Sequence, residues 1–156
     1  MDTTKVYKVY GVLATKPTLF SPCMFMTVDS PGWIVSNRSS IELEYNEHND
    51  KYIKKGIHVF VEKEKATNFM NYIRDPRMIF CPTYAVVELE AYYTDLVISD
   101  GIETIYTKVF ISNEEFDKTI AKAVANNQIM GKDRNVEKQE EQYYYIISAL
   151  EPKVEK

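Results

Sequence analysis

Apolar and polar residues alternate along several segments of the chain, which is the pattern of a β-strand with one buried and one solvent-facing side. Residues 39–45 and 84–91 show it most clearly, and residues 57–61 form a short apolar, β-branched run typical of a buried strand. Valine and tyrosine, which suit a pleated and half-buried surface, are frequent in residues 5–13. Strands are therefore predicted at residues 5–13, 23–28, 33–36, 39–45, 57–61, 84–91, 96–99 and 102–111.

A helical period replaces the alternation after residue 61. Four apolar residues recur at i, i+3, i+4 and i+7, so they form one stripe of a helix that packs on the sheet. The Asp-Pro pair at residues 75–76 ends this helix, because proline disfavours helical geometry in the residue before it. The stripe consists of Ala66, Phe69, Met70 and Ile73.

A capping box predicts the start of a second helix. Glu115 follows Ser112 by three residues. In such a box the serine oxygen accepts a hydrogen bond from the third helical amide, and the glutamate side chain reaches back to the amide of the cap residue. The helix is predicted over residues 113–126. Its buried stripe is predicted to contain Phe116, Ile120, Ala123 and Val124.

Turn-forming and polar residues mark the connections. Asp100-Gly101 favours a two-residue hairpin loop between the strands at 96–99 and 102–111, and the polar run 46–51 predicts a loop. Residues 126–135 are polar and predict a linker or mobile loop. For the last segment, helix formers at 136–142 compete with a strand-like run at 143–147, and we favour a helix that ends before Pro152.

These elements predict one α+β domain over residues 1–156. It has a central, largely antiparallel sheet with two or three packed helices, a polar loop near 126–135 and a C-terminal helical segment. The chain's 156 residues, 45% hydrophobic and 27% charged, suffice for one core.

Composition excludes some classes of function. The formal net charge of −4 supplies no positive field for phosphate backbones, which argues against direct nucleic-acid binding. No apolar run approaches the roughly 20 residues that span a bilayer, and no basic and apolar leader opens the chain. Cys23 and Cys81 lie beside prolines and are predicted to be buried thiols. We expect a cytoplasmic protein without membrane association.

Three segments resemble the ADP-ribosyltransferase-like fold. They are Tyr-Lys-Val-Tyr-Gly at residues 7–11, Gly-Ile-His-Val-Phe at 56–60 and Val-Val-Glu-Leu-Glu at 86–90. Small uncharacterised bacteriophage proteins carry a closer form of the middle block. The resemblance therefore implies either an NAD-dependent transferase or a phage-encoded protein acting in the host cytoplasm.

The resemblance assigns roles to individual residues. Tyr10 and Gly11 lie where the family holds NAD, and His58 stands where the family places a tyrosine that stacks on nicotinamide. Glu88 or Glu90 corresponds to the acidic residue that orients the ribose. Taken alone, His58 is more often structural on an apolar strand, and Glu88 and Glu90 also fit the wet face of an ordinary strand.

Aromatic residues support a binding hypothesis. The chain has 12 Tyr, 7 Phe and a single tryptophan, Trp33, which follows Pro31-Gly32. Together with several tyrosines, Trp33 is predicted either to line a recognition surface or to pack in the core. Ligand binding is assigned to Tyr10, Gly11, Trp33 and His58.

Three functions follow as hypotheses. The leading one is a small phage-encoded protein that binds a host protein or a small nucleotide-like ligand through an aromatic-lined surface, with no cofactor and no metal. The second is an NAD-dependent transferase in which His58, Glu88 and Glu90 are catalytic. The third is a structural or virion subunit that forms homo-oligomers. The glycines are dispersed, so no phosphate-binding loop is predicted, and His48 with its acidic neighbours is assigned to a solvated loop.

Overall fold

The computed structural model describes residues 2–21, 27–35, 43–46, 51–54, 56–72, 83–99, 104–130, 141 and 144–145. These residues form an α+β fold in which every strand pair is antiparallel and two α-helices contact the central sheet. The predicted fold class is confirmed.

The strands are numbered in chain order, with the helices between them. The strands are β1 Thr3–Leu13, β2 Thr18–Phe20, β3 Thr27–Val28, β4 Gly32–Val35, β5 Leu43–Asn46, β6 Lys51–Lys54, β7 Ile57–Val59, β8 Tyr84–Tyr92, β9 Leu96–Ser99, β10 Thr104–Tyr106 and β11 Lys108–Ile111. The α-helices are α1 Lys63–Tyr72 and α2 Asn113–Met130, and a 3-10 helix spans Tyr93–Asp95.

The central sheet has six strands in the order β3-β2-β1-β8-β11-β4. Its longest ladder joins β1 to β8 and runs from the pair Thr3–Tyr92 to the pair Gly11–Tyr84. Apolar side chains from one side of this ladder, including Val6, Val87 and Leu89, are buried in the main core cluster. The valines and tyrosines that predicted the first strand therefore form the middle of the sheet.

A smaller sheet, in the order β7-β10-β9, adjoins the central one. Phe60, directly after β7, exchanges backbone hydrogen bonds of 2.8 and 2.7 Å with Tyr7 of β1. The strand predicted at 102–111 divides at Thr107, whose amide donates to the carbonyl of Asp95 at 2.9 Å. As a result, β10 belongs to the smaller sheet and β11 to the central one. The third sheet is the hairpin of β5 and β6.

Helix α2 lies antiparallel along β8 and is attached near both of its ends. The Glu115 carboxylate accepts a hydrogen bond from the Glu88 amide at 3.0 Å, and the Asn126 side-chain amide donates to the Thr83 hydroxyl at 2.7 Å. Eleven residues of helix and five of strand both span roughly 16 Å, so the two elements match in length. Phe116 and Ala123 enter the main core cluster.

The helical predictions are largely confirmed. Helix α1 contacts β1 and β8, with Ala66 fully buried and Phe69 and Met70 half-buried. In α2, Val124 is 41% exposed, so its predicted burial is wrong; the contacts of α2 with the sheet are made by the stripe that contains Phe116 and Ala123. Helix α2 also extends to Met130, beyond the predicted end at residue 126.

The loop predicted at 46–51 is wrong at both of its ends, where Asn46 and Lys51 belong to strands. Asn46 and Lys51 form the last described pair of the β5–β6 hairpin, and β6 was not predicted because its four residues begin and end with lysine. Residues 141, 144 and 145 are helical. Several predictions fall outside the described residues: the strand at 23–26, the two cysteines, His48, Ile73, the Asp-Pro stop at 75–76, the turn at 100–101 and the loop at 131–135.

We predict that Gly11→Ala destabilises the fold. A Cβ at Gly11 would lie 1.9 to 2.5 Å from three ring carbons of Phe20, which is fully buried and directly opposite on β2. Because the ring has no free space, we expect a loss of about 1–3 kcal/mol in the free energy of unfolding, measured by urea denaturation. Phe20→Leu should partly relieve the clash, so additive losses in the double variant would contradict this explanation.

Candidate functional site

Side chains from four strands form a row across one side of the central sheet. Lys5 pairs with Glu90, Glu90 with Phe110, and Phe110 with Trp33, so β1, β8, β11 and β4 each contribute one side chain. Directly paired residues point to the same side of a sheet. The row and its neighbours on that side are here called the aromatic face. It comprises Lys5, Trp33, Val35, Glu90, Tyr92, Lys108 and Phe110.

Trp33 is the centre of the aromatic face. Its ring stacks on Tyr92, with centroids 5.6 Å apart, and meets the Phe110 ring edge-on at 5.3 Å. Each such ring pair contributes about 0.5–1.5 kcal/mol beyond burial alone. Trp33 nevertheless remains 47% exposed, and its neighbour Val35 is 56% exposed. The rings hold one another in position while leaving apolar surface open to solvent.

Charged side chains flank these rings. The Lys108 ammonium lies 4.7 Å from the centroid of the Trp33 ring, a cation–π contact worth about 0.5–1 kcal/mol at an exposed site. Lys5 and Glu88 form an ion pair of 3.9 Å, with 67% and 44% of their side chains exposed. Such an exposed pair adds little stability, so these charges are free to interact with a ligand or partner.

Glu115 fixes the backbone of β8 beside the aromatic face. The Ser112 hydroxyl accepts from the Glu115 amide at 3.1 Å, as the capping box predicts. The second half of the box is wrong, because the Glu115 carboxylate accepts from the amide of Glu88 instead of the cap amide. Phe110 of β11 pairs with Glu90, so the residue after Ile111 would lie opposite Glu88, but β11 ends at Ile111. The Glu115 side chain supplies the acceptor that a longer β11 would have offered to the Glu88 amide.

Tyr10 and Gly11 lie in the interior. Tyr10 is 1% exposed, and burial raises the pKa of its phenol far above the ordinary value, so the side chain stays neutral. Gly11 is covered by the Phe20 ring. Neither residue presents a surface to a ligand in this structure, which leaves the predicted NAD-holding positions inaccessible.

His58 lies apart from the two glutamates. It is half-buried on β7, where it pairs with Ile105, and its carbonyl accepts a hydrogen bond from the Lys8 ammonium at 2.9 Å. Lys8 pairs with Val87, so it points to the side of the sheet opposite Glu88. His58 thus belongs to the smaller sheet, whereas Glu88 and Glu90 belong to the central one.

Of the predicted site residues, Trp33, Glu88 and Glu90 share one side of the sheet. Glu88 is half-buried and Glu90 is exposed. Val87, which precedes Glu88, and Leu89, which lies between the two glutamates, are buried. Sequence reasoning missed Phe110 and Lys108 as members of this site. The alternation in residues 108–111 was available as a signal, but only the pairing with β4 shows that both side chains adjoin Trp33.

Within the described ranges, no group of three or more His, Cys, Asp or Glu side chains is arranged to hold a metal ion. Among those same residues, neither helix combines the length and apolar character needed to cross a bilayer.

Comparison with known proteins gave no relatives: no family model, curated protein or solved structure matches this chain.

We predict that Glu115→Ala lowers the free energy of unfolding by about 1–3 kcal/mol, because the Glu88 amide loses its acceptor. Glu115→Gln keeps a side-chain oxygen and should retain most of the stability. Glu114→Ala removes the same charge from an exposed position in the same helical turn and should change stability by less than about 0.5 kcal/mol. Urea denaturation measures all three, and hydrogen exchange at the Glu88 amide should accelerate in Glu115→Ala alone.

Proposed function

We propose that this chain is a binding protein that engages a partner protein through the aromatic face. The observation that carries the proposal is the position of Trp33, which is held by Tyr92 and Phe110 and is still 47% exposed. Tryptophan and tyrosine are enriched among the residues that dominate binding energy at protein interfaces. The mechanism is occupancy of a site on the partner, without turnover.

The shape of the surface favours a protein over a small ligand. A small-molecule site usually encloses most of its ligand in a concave pocket. Trp33 and Val35 instead lie half-exposed on the edge strand β4, which offers contact area but not enclosure. Lys5, Lys108 and Glu90 around the rings provide both signs of charge, which suits the polar rim of a protein interface.

The resemblance of residues 56–60 to small phage proteins suggests the source of the partner. On that basis we propose a host protein as the partner and the host cytoplasm as the place of action. Transferase activity has less support, because the hypothesis assigns NAD binding to Tyr10, which is buried, and to Gly11, which the Phe20 ring covers.

We predict that Trp33→Ala weakens partner binding at least about tenfold, because it removes the largest exposed ring of the aromatic face. Immobilised protein would first capture partners from a bacterial lysate. The affinity of each purified candidate would then be measured by calorimetry for wild-type, Trp33→Ala and Tyr72→Ala proteins. Tyr72, 87% exposed on α1, is the matched control and should leave affinity unchanged. Equal binding by all three proteins would refute the proposal.

The single tryptophan also separates the ligand classes directly. Because Trp33 is the chain's one tryptophan, its fluorescence reports on the aromatic face alone. We expect the purified partner to shift this emission saturably and NAD to leave it unchanged. A saturable response to NAD, together with transfer of label from NAD to lysate proteins that His58→Ala abolishes, would favour the transferase instead.

A further inference from the structure

Strand β4 is an open edge of the central sheet. It is the last strand in the order, and within the described part of the chain it pairs on one side only, with β11. Edge strands of natural proteins are commonly protected by charged residues, prolines or bulges. The sequence of β4, Gly-Trp-Ile-Val, contains none of these, although Pro31 precedes it. Among the described residues, no strand occupies the outer backbone groups of β4.

A second copy of β4 can pair with this edge in a register that matches its side chains. If a two-fold axis passes beside Ile34, each Ile34 lies opposite its counterpart, and each Trp33 lies opposite Val35 of the other copy. A large ring then meets a smaller side chain twice, and both are half-exposed in the single copy. A two-fold axis beside Trp33 would oppose two large rings and would bring Pro31, which lacks an amide hydrogen, opposite Val35.

The charges permit the same arrangement. Lys108 lies on β11, opposite Val35 of the same chain. Strand β4 therefore separates Lys108 from the second copy. In the Ile34-centred register the two copies of Lys108 lie on separate rows, about 16 Å apart by strand spacing and rise. No like charges of the described residues meet across the new pair, and Ile34, which is 9% exposed, stays on the core side.

We propose that two copies of this chain pair antiparallel through β4, centred on Ile34, to form one continuous sheet. The pairing joins the two aromatic faces into a single surface twice as wide, with Trp33 of each copy near its centre. A four-residue edge buries far less than the roughly 1,600 Å² of a standard interface, so the dimer is weak and depends on concentration. The pairing needs no partner protein and is tested with the chain alone.

Val35→Glu tests the interface by sedimentation velocity from low micromolar to near-millimolar concentration. The substitution places a carboxylate beside Lys108 of its own chain, which the monomer tolerates, but opposite Trp33 of the second copy, which disfavours pairing. The wild-type mass should rise from 18.2 kDa towards twice that value, whereas Val35→Glu should remain monomeric. Val61→Glu is the matched control, since Val61 is also 56% exposed but lies away from β4, and it should dimerise normally. A monomeric wild-type chain throughout would overturn the proposal.

Cysteine cross-linking tests the register. Ile34→Cys places two thiols directly opposite each other within disulfide reach, whereas the two Val35→Cys positions would lie about 8 Å apart between their Cα atoms, which is too far. Under mild oxidation the first variant should give a covalent dimer and the second should not, beyond the background of the wild-type chain with Cys23 and Cys81. The reverse pattern, or no excess dimer from either variant, would overturn the proposed pairing. If the wild-type chain dimerises as proposed but binds no partner protein, only the proposed function is contradicted, and the dimer proposal stands.

Discussion

The ladder between β1 and β8 is the constraint on which the rest of the structure depends. It sets the register of both strands over nine residue pairs and thereby decides which side chains enter the core and which face outward. A shift of one residue would exchange the two sides of each strand, moving Val87 and Leu89 out and Glu88 and Glu90 in. The burial of two unpaired carboxylates makes that alternative costly, so the register and the charged side of the sheet are specified together.

The same ladder separates the interior from the candidate site. Val6, Val87 and Leu89 face the cluster that α2 and the smaller sheet complete, whereas Lys5, Glu88 and Glu90 lie on the other side. The adjoining strands β11 and β4 continue the outward side but carry Phe110, Trp33 and Val35 instead of charged residues. The surface thus changes from charged to aromatic across the width of the sheet.

Local patterns predicted most of the elements, because alternation, helical period and capping each depend on residues close in sequence. They could not predict which strands become neighbours. Thr107 illustrates this limit: nothing in residues 102–111 indicates that the two halves of this segment join different sheets. Glu115 illustrates a second limit. Its carboxylate could accept a hydrogen bond from the nearby cap amide, but it accepts one from the Glu88 amide, 27 residues away in the sequence.

The candidate site is a product of those non-local pairings, which is why sequence reasoning named Trp33 but missed Phe110 and Lys108. A single exposed apolar residue is ordinary on a protein surface and needs no explanation. Trp33, however, is held by two rings and a lysine that reach it from two other strands. It lies on β4, one of the two edge strands of the central sheet among the described residues. Trp33 is held in a fixed position, but about half of it remains in water. The fold therefore gains only part of the free energy that full burial of this side chain would provide. The remainder is available when another surface covers the ring, which is the physical basis of the association proposed above.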